Sequence, residues 1–190
     1  MAANQRKISV FNQISLDGYF TDASNDMSWA HKSDPETNAF AAKNASGEGP
    51  LLFGRVTYEM MAAFWPTPMA AQQMPEVAKG MNERPKLVVS RTLQDVSWNN
   101  STLLKGDLLE EVRKLKAEPG EDITILGSGS IVAQLAGAGV IDDYHVVVNP
   151  IALGAGRTMF DGIPNRLNLR LTGTRTFGNG NVLLSYGAQH

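Results

Sequence analysis

Gly127-Ser128-Gly129-Ser130 stands between a short apolar run, Ile123, Ile125 and Leu126, and a segment where Ile131, Val132 and Leu135 recur at helical spacing. The order reads strand, glycine turn, helix. Gly137 and Gly139 end the helix, and the β-branched stretch from Tyr144 to Asn149 reads as the next strand. A helix that starts on such a turn leaves backbone N–H groups unpaired at its positive end, and glycine lets an anion come close to them. That chemistry suits the diphosphate of a nucleotide, with Gly127 and Gly129 facing solvent at a strand end. The competing reading is packing, since two glycines also let a helix lie tightly on a strand.

Two further strand ends carry cations. Phe53-Gly54-Arg55-Val56-Thr57 passes from a strand through glycine into a helix that opens with a guanidinium and a hydroxyl, and Ser90-Arg91-Thr92 follows Val88-Val89. Arginine holds a phosphate through two parallel N–H bonds, and serine or threonine hydroxyls serve the remaining oxygens. A dinucleotide with a 2′-phosphate needs such a basic pocket beside a neutral glycine turn. Gly54-Arg55, Ser90-Arg91 and Gly127-Ser128-Gly129 meet that need if they share a sheet edge; taken singly, Arg55 and Arg91 also read as ordinary surface cations. The doubly wound dinucleotide fingerprint is not met, because Val132 stands where its third glycine belongs. No G-x-x-x-x-G-K-[ST] loop occurs either.

The elements that must position these residues follow from the pattern. With 190 residues the chain is expected to form one domain (1–190) with a sizeable core, and 43% hydrophobic against 19% charged residues is a globular balance. A formal net charge of −2 argues against a binder of nucleic acid that relies on bulk positive charge. There is no cysteine, which excludes disulfides, thiolate catalysis and cysteine-held metals. His31, His145 and His190 are scattered without ligand spacing, so no metal site is expected. No apolar run approaches a membrane span, and a cytoplasmic protein is the expectation.

A strand is predicted over Ile8–Ile14, followed by a long polar connection from Ser15 to Ser33 that holds Tyr19, Phe20 and Trp29. Asp34 and Pro35 mark a helix start as N-cap and first helical residue. Leu51 to Phe53 is a buried strand, and the next helix carries Tyr58, Met61, Ala62 and Trp65 on a core face, stopped by Pro66 and Pro68. A helical piece near Pro75–Met81, a strand at Lys86–Ser90 and an amphipathic helix capped by Asp107 come next. Ile151 to Arg157 reads as a glycine-rich loop. The strand with Leu167, Leu169 and Leu171 and the strand with Val182, Leu184 and Tyr186 form a terminal hairpin across Gly178-Asn179-Gly180. The total is about eight strands and four or five helices, an α/β fold with a mixed sheet.

FGRVTYE, PKLVVSRTL, ITILGSGSIVAQLAGAGVID and VNPIALGAGRTMF, in this order, resemble the dihydrofolate-reductase-like proteins. More closely, the chain from Ile8 to Tyr186 is similar to stand-alone relatives of the C-terminal reductase domain of the bifunctional deaminase-reductase of riboflavin biosynthesis. The resemblance implies a dihydrofolate-reductase-like fold with NADPH as hydride donor, and a homodimer. It places Gly54, Arg55 and Thr57 at the phosphates and Ser90 and Arg91 at the 2′-phosphate. Gly127, Ser128, Gly129, Ser130 and Ile131 fall along the diphosphate and nicotinamide side, and the Ser15-Leu16-Asp17-Gly18 turn falls near nicotinamide and substrate. Asp34 is the candidate for the carboxylate that supports substrate protonation in dihydrofolate reductases, although an N-cap role explains it as well. Asp26-Met27-Ser28-Trp29-Ala30 replaces the Ser-Lys-Trp-Ile-Thr-like substrate segment of the riboflavin enzymes. The implied activity is reduction of a small heterocycle, most nearly of the 5-amino-6-(5-phosphoribosylamino)uracil reductase type. A pterin reductase and a nucleotide-binding protein without turnover are the alternatives.

Overall fold

The structure, a computed structural model, describes residues 6–30 and 34–189; His31 and His190 lie outside them. In chain order it contains β1 (Ile8–Ser15), β2 (Tyr19–Asp22), a short 3-10 helix (Ser28–Ala30), α1 (Pro35–Ala45), β3 (Leu51–Gly54), α2 (Arg55–Phe64), α3 (Pro68–Gln73), α4 (Pro75–Glu83), β4 (Lys86–Val89) and β5 (Ser101–Leu104). Then come α5 (Leu108–Ala117), β6 (Ile123–Leu126), α6 (Gly129–Gly137), β7 (Asp143–Asn149), β8 (Gly156–Thr158), β9 (Leu169–Thr176) and β10 (Val182–Ala188). The class is α/β with mostly parallel strands, flanking helices and an antiparallel C-terminal hairpin, as the pattern predicts.

The chain divides into two compact units, one holding Arg6 and residues 35–124, the other residues 7–34 and 125–189. The division falls within β6. In the first unit β3, β4 and β5 run parallel, with Leu51, Leu52, Phe53 and Val88 buried, the continuous apolar signature of strands covered on both faces. Lys86 is wholly buried at the start of β4. Its Nζ donates to the carbonyls of Asn82 (2.9 Å), Arg84 (2.8 Å) and Asn99 (2.8 Å) and lies 4.4 Å from the centre of the Trp98 ring. Three acceptors and a ring face compensate the ammonium for lost water, while burial and the neighbouring Arg84 push it down to about 8.

In the second unit β1 pairs parallel with β7, and β7, β10 and β9 pair antiparallel. Ile8 and Val10 of β1 and Tyr144 of β7 are buried, and Val132 and Leu135 of α6 supply helix packing. β9 is exposed along nearly its whole length, with Leu171 53% exposed, and Arg170 and Arg175 place charge on it, as edge strands require.

The structure differs from the pattern at four places. Pro68 does not stop a helix but opens one: it is the first residue of α3, and Thr67 Oγ1 accepts the Ala70 N–H at 3.2 Å. β5 (STLL) has no apolar alternation and exists through its parallel pairing with β4. β2 lies in the expected polar connection, and β8 in the expected glycine loop; they pair only with each other, Thr21 opposite Arg157. The result is ten strands and six α-helices among the described residues.

Candidate functional site

In the first unit the register Gly54–Val89 and Val89–Leu104 aligns the carboxyl ends of three parallel strands. Arg55, Arg91 and Lys105 each follow one of those ends. Gly54 is the N-cap of α2, with extended backbone (φ −83°, ψ 165°) and no side-chain cap, so no side chain of the cap covers the first-turn N–H groups. Arg55 Nη1 meets Glu59 Oε2 at 2.9 Å, one helical turn on, with both side chains about half exposed at 46% and 48%. Such an i,i+4 pair is worth only about 0.3–0.5 kcal/mol, less than a charge-assisted phosphate bond. Thr57 is half-buried. Ser90 is buried and its Oγ accepts the N–H groups of Thr92 (3.2 Å) and Leu93 (3.0 Å), so it shapes the turn that presents Arg91. Arg91 and Lys105 are exposed and have no partner among the described residues. Lys105 escaped sequence reasoning because β5 carries no signal; once β5 is paired, Lys105 is the next position beside Ser90, whose N–H donates to Leu104 O at 3.1 Å.

The second unit has its own carboxyl edge. Gly127 and Ser128 both take left-handed backbone, φ 64° and 58°, a conformation glycine adopts freely and serine rarely. Gly127 N–H donates to Phe11 O at 3.3 Å, and Asn12 Nδ2 donates to Gly127 O at 3.3 Å, which fixes the turn to β1. The N–H groups of Ile131 (2.9 Å) and Val132 (3.0 Å) turn back to Ser128 O. Those of Gly129 and Ser130, the first two helical residues, have no partner among the described residues. Ile131 is buried, its side chain in the core.

Gly129 departs from expectation. It is buried, and a Cβ built on it would overlap the edge of the Phe20 ring. Phe20, in β2, is itself buried, with the Arg157 guanidinium 5.7 Å from its ring centre. The glycine faces packing rather than solvent, because the short β2–β8 pair lays Phe20 over the start of α6. Packing leaves the donor in place: the Cα side of Gly129 is closed by an aromatic ring, whereas its N–H has no partner among the described residues.

The Ser15–Gly18 turn follows β1, whose last residue pairs with Asn149 at the end of β7. The Asp17 carboxylate accepts Ser15 Oγ (2.6 Å), Leu153 N–H (3.1 Å) and Gly154 N–H (2.8 Å). These bonds, Ser15 first, hold Asp17 at about 2 although it is exposed to solvent. Asp17 is thus an ionised clamp joining two loops, and a poor proton donor at neutral pH. Asp34 immediately precedes Pro35, the first residue of α1, and its Oδ1 lies 3.7 Å from where a Cβ on Gly178 would stand. Trp29 donates from Nε1 to Asp26 O at 3.1 Å. His145 pairs through Nδ1 with Ser185 Oγ at 2.9 Å, and burial pushes the imidazole down. Among the described residues no group of three or more His, Cys, Asp or Glu could hold a metal ion, and no helix is long and apolar enough to cross a membrane.

The model of the RibD C-terminal domain matches residues 6–183, across both units. The chain belongs to the RibD C-terminal domain family. It is 29% identical over 182 residues to the uncharacterized protein YyaP of Bacillus subtilis (strain 168), covering 96% of this chain and 95% of that one. YwjB of the same organism is 25% identical over 174 residues, 92% and 94% of the two chains. Among solved structures, a riboflavin biosynthesis protein from Shewanella sp. PV-4 superposes with a TM-score of 0.76 at 23% identity, over 97% and 99% of the chains. Dihydrofolate reductase from Enterococcus faecalis, complexed with NADP(H), superposes with a TM-score of 0.64 at 14% identity, over 98% of each chain. At those identities the likeness establishes the dihydrofolate-reductase-like fold.

Proposed function

We propose that this protein is an NADPH-dependent reductase of a small heterocycle, most nearly of the 5-amino-6-(5-phosphoribosylamino)uracil reductase type. The observation that carries the reading is the row of cations at the first unit's carboxyl edge. Three parallel strand ends present Arg55, Arg91 and Lys105, and two of the three cations have no partner among the described residues. Exposed, unpaired cations at the carboxyl ends of parallel strands suit a phosphate ligand. On the first unit, Arg91 and Lys105, with Arg55 once released from Glu59, suit a 2′-phosphate dianion. The free N–H groups of Gly129 and Ser130 match a diphosphate at a helix start. When bound, NADPH supplies a hydride. The chain's own residues bind and orient: the Asp17 clamp holds the Ser15–Gly18 turn against the loop after β7. Asp34 is the remaining carboxylate candidate for supporting a proton on the substrate. Family membership and superposition on a structure named for a pyrimidine reductase-like protein from Corynebacterium diphtheriae, TM-score 0.66 at 14% identity, support the substrate class.

The test is oxidation of NADPH, followed by nicotinamide absorbance, across phosphoribosylated aminopyrimidines and dihydropterins. Turnover with pyrimidines alone is expected. Turnover with pterins alone would move the assignment to a dihydrofolate-type activity, and NADPH binding without oxidation by either panel would make this a nucleotide-binding protein. We further propose a homodimer through the C-terminal hairpin, whose Leu171 is exposed beside half-buried Val182, Leu184 and Tyr186. Light scattering at micromolar concentration should give the dimer mass; a monomer mass removes the proposal.

A further inference from the structure

Asn149 ends β7, with Ser15 of β1 beside it in register. On its other side the antiparallel pairing of Val148 with Val182 makes Asn181 the next facing position, and the approach continues, since a Cβ on Gly180 would lie 3.3 Å from Pro150 Cγ. Both asparagines are 1% exposed. Asn149 Oδ1 and both amide atoms of Asn181 have no hydrogen-bond partner among the described residues. The Asn149 Nδ2 turns instead to Ile14 O (3.2 Å), Gln13 Oε1 (3.4 Å) and Val147 O (3.4 Å). Buried amide groups without partners are costly and rare in folded proteins, so three such atoms on two facing side chains point to a bound group.

We infer that Asn149 and Asn181 hold one internal water molecule between them. Among the described residues no direct bond joins the two amide heads, and one oxygen at about 2.8 Å from an atom of each would supply the missing partners. A buried water needs two to four polar partners, and the two acceptors and one donor here meet that need. The atoms are closed to solvent, which excludes a diffusing heterocycle and leaves water as the occupant. Bridged in this way, the β9–β10 turn is fastened to the end of β7 just before the loop whose Leu153 and Gly154 hold Asp17. The inference stands independently of the cofactor reading.

The experiment is water–amide cross-relaxation on ¹⁵N-labelled wild-type protein. The Asn181 side-chain NH₂ is expected to show a cross-peak to a long-lived water. Asn181→Leu should lower Tm by roughly 3–10 °C, because Asn149 Oδ1 then loses its bridged partner. The double variant Asn149→Leu/Asn181→Leu should lose less than the sum of the singles. Absence of the cross-peak together with a scalar coupling across a direct Asn181–Asn149 hydrogen bond would overturn the inference, as would strictly additive losses. If a leucine variant does not fold, the wild-type spectrum alone decides.

Discussion

The two carboxyl edges offer an anion different things. At the first, the offer rests on side chains: Arg91 and Lys105 are exposed and unpaired among the described residues, and Arg55 is held only by an exposed pair with Glu59. At the second it rests on backbone, with left-handed Gly127 and Ser128 leading into α6 and the Phe20 ring closed over Gly129. A charge on the surface can be removed with little effect on the fold, whereas a backbone donor set inside a packed corner cannot be altered without disturbing the packing. Binding and stability should therefore separate at the first edge and fall together at the second.

The largest effect is expected where they fall together. Gly129→Val drives a branched side chain into the Phe20 ring, an overpacking that costs about 1–3 kcal/mol or more, so Tm should fall by roughly 2–12 °C and NADPH binding with it. Trimming the ring in Gly129→Ala/Phe20→Ala should bring a smaller loss than the two single changes summed. Thermal melts with and without NADPH measure both. A Gly129→Val protein with wild-type Tm and no cofactor binding would show that packing does not govern this turn.

At the cation edge the effect is on binding alone. Arg55→Ala and Arg91→Ala should each weaken NADPH by roughly tenfold or more, since a charge-assisted phosphate bond contributes about 1.5–3 kcal/mol, and should leave NADH affinity and Tm nearly unchanged. Lys105→Ala is expected to act in the same direction but less, because lysine meets phosphate as a point charge rather than a fork. Fluorescence titration with the two nucleotides distinguishes the outcomes. Equal loss for NADPH and NADH would break the assignment of this edge to the 2′-phosphate.

The smallest effect sharpens the second edge. Asp17 has its carboxyl depressed to about 2 in the folded protein against 3.8 ordinarily, so its contribution is fully present above about pH 4 and is lost as pH falls through about 2. Between pH 5 and 8 Asp17 should add no limb to an activity profile. Asp17→Asn, which weakens the bonds to Ser15 Oγ and to the Leu153 and Gly154 N–H groups, should lower kcat with little change in NADPH affinity. A wild-type profile whose acidic limb disappears in Asp17→Asn would show that Asp17 titrates during turnover and is not a fixed clamp.

Much of this arrangement is written along the chain. The α/β class, the glycine turn before α6, the Asp107 cap of α5 (whose carboxylate accepts Leu109 and Glu110 N–H), the start of α1 at Pro35 and the hairpin of β9 and β10 all follow from local chemistry. Apolar period, caps and turn glycines act within a few residues, so the sequence alone determines them. The motifs around Gly54-Arg55, Ser90-Arg91 and Gly127–Ile131 are legible for the same reason. What only the tertiary structure decided is set by pairing between distant segments. β5 becomes a strand because β4 lies beside it, and that pairing is what places Lys105 next to Ser90. β2 and β8 have too few residues and too little alternation to announce themselves, yet their pairing puts Phe20 over Gly129. Asp17 likewise shows nothing in sequence of the Leu153 and Gly154 N–H groups that keep it ionised. Local patterns report what a segment can form, and long-range contacts decide which neighbour each residue meets.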